Sequence, residues 1–439
     1  MNPVKIKELF AGRIDRRIEE VIKVDQTNAQ IVVEEIEEYV ATDSIRRACT
    51  RILERYYETR NKPHEGVGIW ISGFFGSGKS SFAKNVGLAL ENRDLLGTGA
   101  AERFGQKTAD DRIRVLLNNI TEQIPTATVV FDLSTDRGIR SGNQMLTEIM
   151  YRELLERLGY ARDPDLAELE ITLEDDGRLD TFKSTYEGLF RKDWDTEKGK
   201  VAFALSEASR VMHELDRDTY TAADSWVKAA KSRAELSANI LAERAMQLLG
   251  RRYPDHALAF VIDEAGQFVA RDVQKMLDLQ GIVQALGRAG RGKLWIMVTS
   301  QERLSDVVGG IDDKRVELAR LMDRFPQELQ VHLEPSDISE VTSKRVLSKN
   351  AEAERVLREL FEQNRGRLTT NTRLTADIKL PELTAESFIT LYPLLPYHVD
   401  LIIQIVSGLR MQGGASMKEK RKFFCGAGAA DLWSNATDR

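Results

Sequence analysis

The sequence predicts an α/β protein in which a parallel sheet lies between two layers of helices. Three observations predict it. Short apolar runs alternate with helical segments along the chain. One of those runs, Gly66 to Ser72, leads into Gly73-Phe74-Phe75-Gly76-Ser77-Gly78-Lys79-Ser80, and a helical apolar pattern follows through Leu90. A later run, Leu258 to Ile262, ends in the acidic pair Asp263-Glu264.

The approach to the first strand is helical. Asp43 to Tyr57 is amphipathic, with Ile45, Ala48, Cys49, Ile52, Leu53 and Tyr56 on one face and Asp43 or Ser44 as N-cap. Just upstream, Ile36 to Val40 reads as a short strand or turn over a nucleotide base. Tyr39 and Val40 are therefore candidates for a base pocket, with simple core packing as the other reading.

The loop between the first strand and its helix fits G-x-x-x-x-G-K-[ST]. Gly73, Gly76 and Gly78 let the backbone curl close to phosphate oxygens, and Phe74, Phe75, Ser77 and Ser81 complete the cradle. Backbone N–H groups and the positive end of a helix dipole then point at one place. Lys79 is expected to reach the β- and γ-phosphates. The Ser80 hydroxyl is expected to take a position on Mg²⁺. This pattern predicts binding of a nucleoside triphosphate.

Four further strands are expected: Thr126 to Ser134, His256 to Glu264, Lys293 to Ser300 and Glu328 to Leu333. The stretch 137–250 is long, charged and mostly helical, and reads as an insertion within a nucleotide domain spanning 61–334, preceded by the segment 1–60. From Pro335 to residue 415 the chain reads as a helical lid, with helices at Asp337 to Leu347, Ala351 to Asn364 and Tyr392 to Leu409. Residues 416–439 carry a charge run and a Gly/Ala stretch, and are expected to be disordered or the product of a shifted reading frame.

Composition narrows the class. The 439 residues are 42% hydrophobic and 30% charged, with net charge −6, so nothing demands a nucleic-acid or membrane partner. Cys49 and Cys425 stand too far apart in sequence for a metal-binding spacing or a disulfide framework. The five histidines form no i,i+4 ligand pair. Without a secretory leader or a membrane-spanning run, a cytoplasmic protein is expected.

Asp263 closes an apolar strand at the sheet edge where ligands bind in open α/β folds, which suits a magnesium carboxylate. Glu264, beside it, suits a general base on the attacking water. Ser300 and Gln301 end the next strand, either as γ-phosphate contacts or as ordinary polar strand ends. Asp132 and Ser134 are weak candidates to restrain Glu264. Arg320 and Arg324 precede the last strand, and Arg324 is the better candidate to reach a phosphate.

The order of glycine loop, extra strand, Asp-Glu strand, polar strand end, arginine and helical lid resembles the AAA+ P-loop NTPases across residues 30–410. That resemblance implies a three-layer fold with sheet order 5-1-4-3-2, ATP with Mg²⁺, hydrolysis, a homo-oligomer, Arg324 acting on a neighbouring subunit and Arg410 in the lid as a further phosphate contact. Glu38-Tyr39-Val40-Ala41-Thr42 and the double phenylalanine of Gly73-Phe74-Phe75-Gly76 are similar to the start of the BREX phage-defence P-loop ATPases of the BrxC and PglY type. Members of that family are much longer, so the chain would match an N-terminal portion. The likeness implies a switch or motor in a multi-protein defence complex, with other BREX proteins as partners, DNA reached indirectly and no membrane. A nucleotide-gated scaffold and a DNA translocase are the alternatives. For the latter, the basic segment Arg288 to Lys293 reads as a solvated turn.

Overall fold

The computed structural model describes residues 5–12, 23–73, 76–134, 144–230, 236–270, 272–309, 321–372, 381–399, 401–402 and 405. Five strands form one sheet: β1 (Gly68–Gly73), β2 (Thr126–Asp132), β3 (Ala257–Asp263), β4 (Leu294–Ser300) and β5 (Gln330–Leu333). Their order is β2-β3-β4-β1-β5, and every pairing is parallel. Read from the other edge, this is the expected 5-1-4-3-2. Every residue of β1, β3 and β4 is buried, as strands covered on both faces require. Their run of Val, Ile, Leu, Phe and Trp is what made them legible. Register sets Ser72 beside Ser300, Gly73 beside Leu333 and Asp132 beside Asp263, so the strand ends gather at one edge.

The helix Lys79–Glu91 covers the middle of the sheet. Gly87 lets it sit close: a Cβ there would stand 2.9 Å from Val261 Cγ2. The helix Asp43–Glu58 buries the six residues expected of it, from Ile45 to Tyr56. Its N-cap is Thr42 rather than Asp43 or Ser44, because the Thr42 hydroxyl accepts from Ile45 N–H at 3.3 Å. Of the expected strand or turn at Ile36 to Val40, Ile36 and Glu37 instead end a helix, Ala29–Glu37, capped by Asn28, and Glu38 to Val40 follow it as a turn and irregular backbone. Val32, Val33 and Ile36 pack there on Leu88, Leu95 and Ala100, which helical spacing satisfies and strand alternation does not.

Between β2 and β3 the helices divide by what they cover. Leu146–Arg157 and Ala238–Arg252 bury Leu154, Leu155, Ala245 and Leu248 in the sheet core. The helices between them hold a separate core of Phe182, Tyr186, Trp194, Val211 and Trp226, among others. The inserted body is thus narrower than 137–250.

After β5 come the helices Pro335–Arg345, Ala351–Asn371 and Ala385–Leu391. The helix expected from Tyr392 starts at 396, because Pro393 and Pro396 interrupt the helical hydrogen-bond ladder. No helix among the described residues is long and apolar enough to cross a membrane.

Candidate functional site

Gly76 and Gly78 adopt φ of +82° and +89°, and Gly78 opens the helix that begins at Lys79. Side chains rarely accept that geometry, and at both positions a Cβ would point into open space. Ser77 Oγ lies buried against the root of the loop, 2.6 Å from where a Gly73 Cβ would stand, without a hydrogen-bond partner among the described residues. A glycine bend that opens a helix N-terminus, with an unpartnered hydroxyl beneath it, fits an anion. Lys79 is almost wholly buried.

Facing the loop, β3 delivers Asp263. Ser80 Oγ donates to Asp263 Oδ1 at 3.0 Å, and Thr299 Oγ1 donates to the same oxygen at 2.5 Å. Burial pushes the Asp263 carboxyl up from its ordinary range. The Thr299 and Ser80 bonds and the Lys79 charge pull it down, and Asp132 pushes it further up. Lys79 directly precedes Ser80, whose hydroxyl bonds Asp263, so the start of the helix and the end of β3 meet. Ser80 and Asp263 together offer oxygen donors of the kind a hard divalent cation takes. Among the described residues no three His, Cys, Asp or Glu side chains cluster as a metal cage. One carboxylate beside one hydroxyl is a donor set that suits Mg²⁺, which is usually held by one or two protein groups and phosphate oxygens.

Glu264 adopts φ +58°, in the left-handed region where a glutamate is uncommon. Thr299 holds it there, since its hydroxyl accepts the Glu264 N–H at 2.9 Å while donating to Asp263. Thr299 is the residue the sequence reading missed. Ser300 and Gln301, read either as γ-phosphate contacts or as ordinary polar strand ends, follow it in the chain. Successive strand residues face opposite ways, and Ser300 faces Gly266 and accepts from Glu302 N–H at 3.1 Å. A Cβ at Gly266 would stand 2.1 Å from Ser300 Oγ, so that face is closed. Gln301 is exposed. Only the inter-strand register separates Thr299 from Ser300, and no sequence signal carries it.

The remaining candidates divide. Gly73 and Ser81 flank the loop as expected. Tyr39 is buried with its ring 5.8 Å from that of Phe104, which is core packing, and Val40 beside it is half-buried. Asp132 accepts from the backbone and hydroxyl of its own neighbour Ser134, at 2.7 and 3.0 Å. The Arg324 carbonyl lies where a Gly68 Cβ would stand 2.7 Å away. Gly68 and Gly73 are opposite ends of β1, about 16 Å apart at roughly 3.3 Å per residue. Arg324 is thus at the far edge from its own loop, half-buried, with Nε buried and without a hydrogen-bond partner among the described residues. Phe74, Phe75, Arg320 and Arg410 lie outside the described residues, as does the segment 416–439.

A second pair reaches the loop from β5. Ser72 Oγ lies 3.1 Å from Val331 O and 3.0 Å from His332 Nδ1, one residue before Gly73. The strand that leads into the lid is therefore tied to the root of the loop.

No protein-family model matches the chain, and no solved structure matches it.

Proposed function

We propose that the chain binds ATP with Mg²⁺ and hydrolyses it. The observation that carries this reading is the Ser80 to Asp263 hydrogen bond beside an open glycine loop with Lys79 near by. Gly76, Ser77 and Gly78 supply the anion cradle, Lys79 the cation on the terminal phosphates, and Ser80 and Asp263 the oxygens for the metal. The bound metal would supply charge neutralisation on the phosphate oxygens. Glu264, set apart from Asp263 by its own backbone turn, takes the proton of the attacking water.

Arg324 has no path to its own loop, which supports a role on the phosphates of a neighbouring copy and hence a homo-oligomer. A trans arginine of this kind is worth about 10³–10⁵ in rate. On the likeness to the BrxC and PglY ATPases, the assembly serves as a cytoplasmic switch or motor in a BREX phage-defence complex, with other BREX proteins as partners and DNA reached through them.

The test is ATP binding and turnover measured against protein concentration. Wild-type chain should bind ATP in a Mg²⁺-dependent way, and turnover per chain should rise with concentration. Lys79→Ala should lose binding, and an affinity equal to wild type would remove the site. Arg324→Ala should lower turnover only where copies assemble; an equal loss in dilute monomer would overturn the trans role.

A further inference from the structure

Residues 5–12 lie on the lid as one turn of 3₁₀ helix, Ile6–Leu9, followed by Phe10 in an extended conformation. Within this stretch only Leu9 and Phe10 are buried, and they part into separate apolar clusters. Leu9 lies with Leu357, Phe361 and Phe388, and Phe10 with Leu347, Leu391 and Val399. The backbone is held opposite Lys349, which forms an antiparallel bridge with Phe10. Asn350 N–H donates to Leu9 O at 3.2 Å, and Ala11 N–H to Ser348 O at 2.8 Å. At the exposed rim the Asn350 side-chain amide adds a bond to Glu8 O at 2.9 Å. The Lys349 ammonium sits 4.7 Å from the centre of the Phe10 ring.

A docked peptide is held in this way. Two adjacent anchors fill pockets and main-chain hydrogen bonds fix the direction, while Lys5, Lys7, Glu8 and Ala11 stay exposed. The pockets also have walls of their own. Phe361 and Phe388, on the helices Ala351–Asn371 and Ala385–Leu391, stand with ring centres 5.4 Å apart, and Phe388 and Tyr392 5.5 Å apart. Asn350 caps the first of those helices by accepting from Ala353 N–H at 2.8 Å, a bond that does not involve the segment.

We propose that this groove is a docking site that takes segment 5–12 from a second copy of the chain as well as from its own. The occupant seated in it fixes the chemistry required, which is adjacent leucine and phenylalanine followed by extended backbone. A second copy carries that segment unchanged, so the contacts made between copies equal those made within one. The balance between the two then depends only on chain concentration and on the tether. The exposed rim favours exchange, because water already reaches the bonds that must break.

The test is a disulfide placed across the docked backbone. Ala11 and Ser348 meet at the 2.8 Å bond, and both are exposed. The native Cys49 does not interfere, since it is fully buried and burial pushes its thiol up to about 12; Cys425→Ser removes the other thiol. A full-length chain carrying both Ala11→Cys and Ser348→Cys should close an internal disulfide under oxidised glutathione, and failure there overturns the docking. A chain with Ala11→Cys alone is then mixed with one carrying Ser348→Cys alone. A mixed disulfide pair, identified by mass, should form with a yield that rises with total concentration. Adding Leu9→Ala and Phe10→Ala to the first chain should lower that yield about tenfold or more, because both anchors are gone. Absence of the mixed pair overturns exchange between copies. So does a yield unmoved by the two alanines, which marks random collision. No nucleotide enters these readings, so the docking site and the proposed ATPase can fail independently.

Discussion

Two buried carboxylates, Glu170 in the inserted helical body and Asp263 at the sheet edge, are treated in opposite ways by their surroundings. Glu170 accepts from Ala161 N–H at 2.5 Å, from Trp194 Nε1 at 2.7 Å and from the Lys198 ammonium at 3.2 Å. Its charge is matched and both oxygens are used. Asp263 has two hydroxyl donors, both on one oxygen, and burial raises its pKa. On the facing loop the Ser77 hydroxyl has no hydrogen-bond partner among the described residues, and the adjacent Glu264 sits in a strained backbone region. A carboxylate that only holds a fold together is satisfied by that fold. One whose partner comes from outside stays short of charge until the partner arrives, and the strain is kept at the site.

The comparison can be broken at several points. The largest effect is expected from Glu264→Gln, which keeps the shape and removes the base. Turnover should fall by about 10²–10⁴ with ATP affinity held, and wild-type turnover would remove Glu264 from the reaction. Glu170→Ala should act on the other side of the contrast. It strands the Ala161 amide and the Trp194 indole, so chemical denaturation should report a loss of about 3 kcal/mol, while ATP affinity stays that of wild type. If Glu170→Ala were neutral, the inserted body would not depend on that network.

Thr299→Val keeps the volume and deletes the hydroxyl shared by Asp263 and Glu264. It should reduce turnover by roughly ten- to a hundredfold with little change in ATP affinity, and equal losses in both would mean general damage to the strand end. The smallest effect on stability, and the one of opposite sign, belongs to Asp263→Asn. Folding holds the Asp263 proton more tightly than the unfolded chain does. The group's stabilising contribution is therefore present at low pH and is lost as pH rises through its raised pKa. The asparagine stays neutral throughout. At neutral pH the nucleotide-free variant should be more stable than wild type by about 1 kcal/mol while losing Mg²⁺-dependent activity, and the gap should close on acidification. A variant less stable than wild type at neutral pH would sink the contrast with Glu170.

Much of the site was legible without coordinates, and for a local reason. Gly73 to Ser80 is one continuous stretch, and its glycines, lysine and serine have a single arrangement in which all of them act. The face from Ile45 to Tyr56 was equally local, set by helical spacing over about three turns. Strand β3 declared Asp263 because an unbroken apolar run ends there. The readings that failed had two causes. Tyr39 took the packing alternative, against Phe104, and Ile36 ended the helix Ala29–Glu37, because partners far away in sequence decided both. Pro393 and Pro396, a local signal, moved the last lid helix.

The sequence alone therefore determined where the glycine loop and its helix form and which strands are buried, because spacing along one segment encodes both. Only the tertiary structure decided that Thr299 rather than Ser300 meets the acidic pair, since that follows from how β3 and β4 slide into register. Only it decided that Arg324 stands at the opposite edge from Gly73, and that Glu38 meets Arg345 across more than 300 residues. Each of those is a matter of how separate segments pack together, and no local pattern of residue types records it.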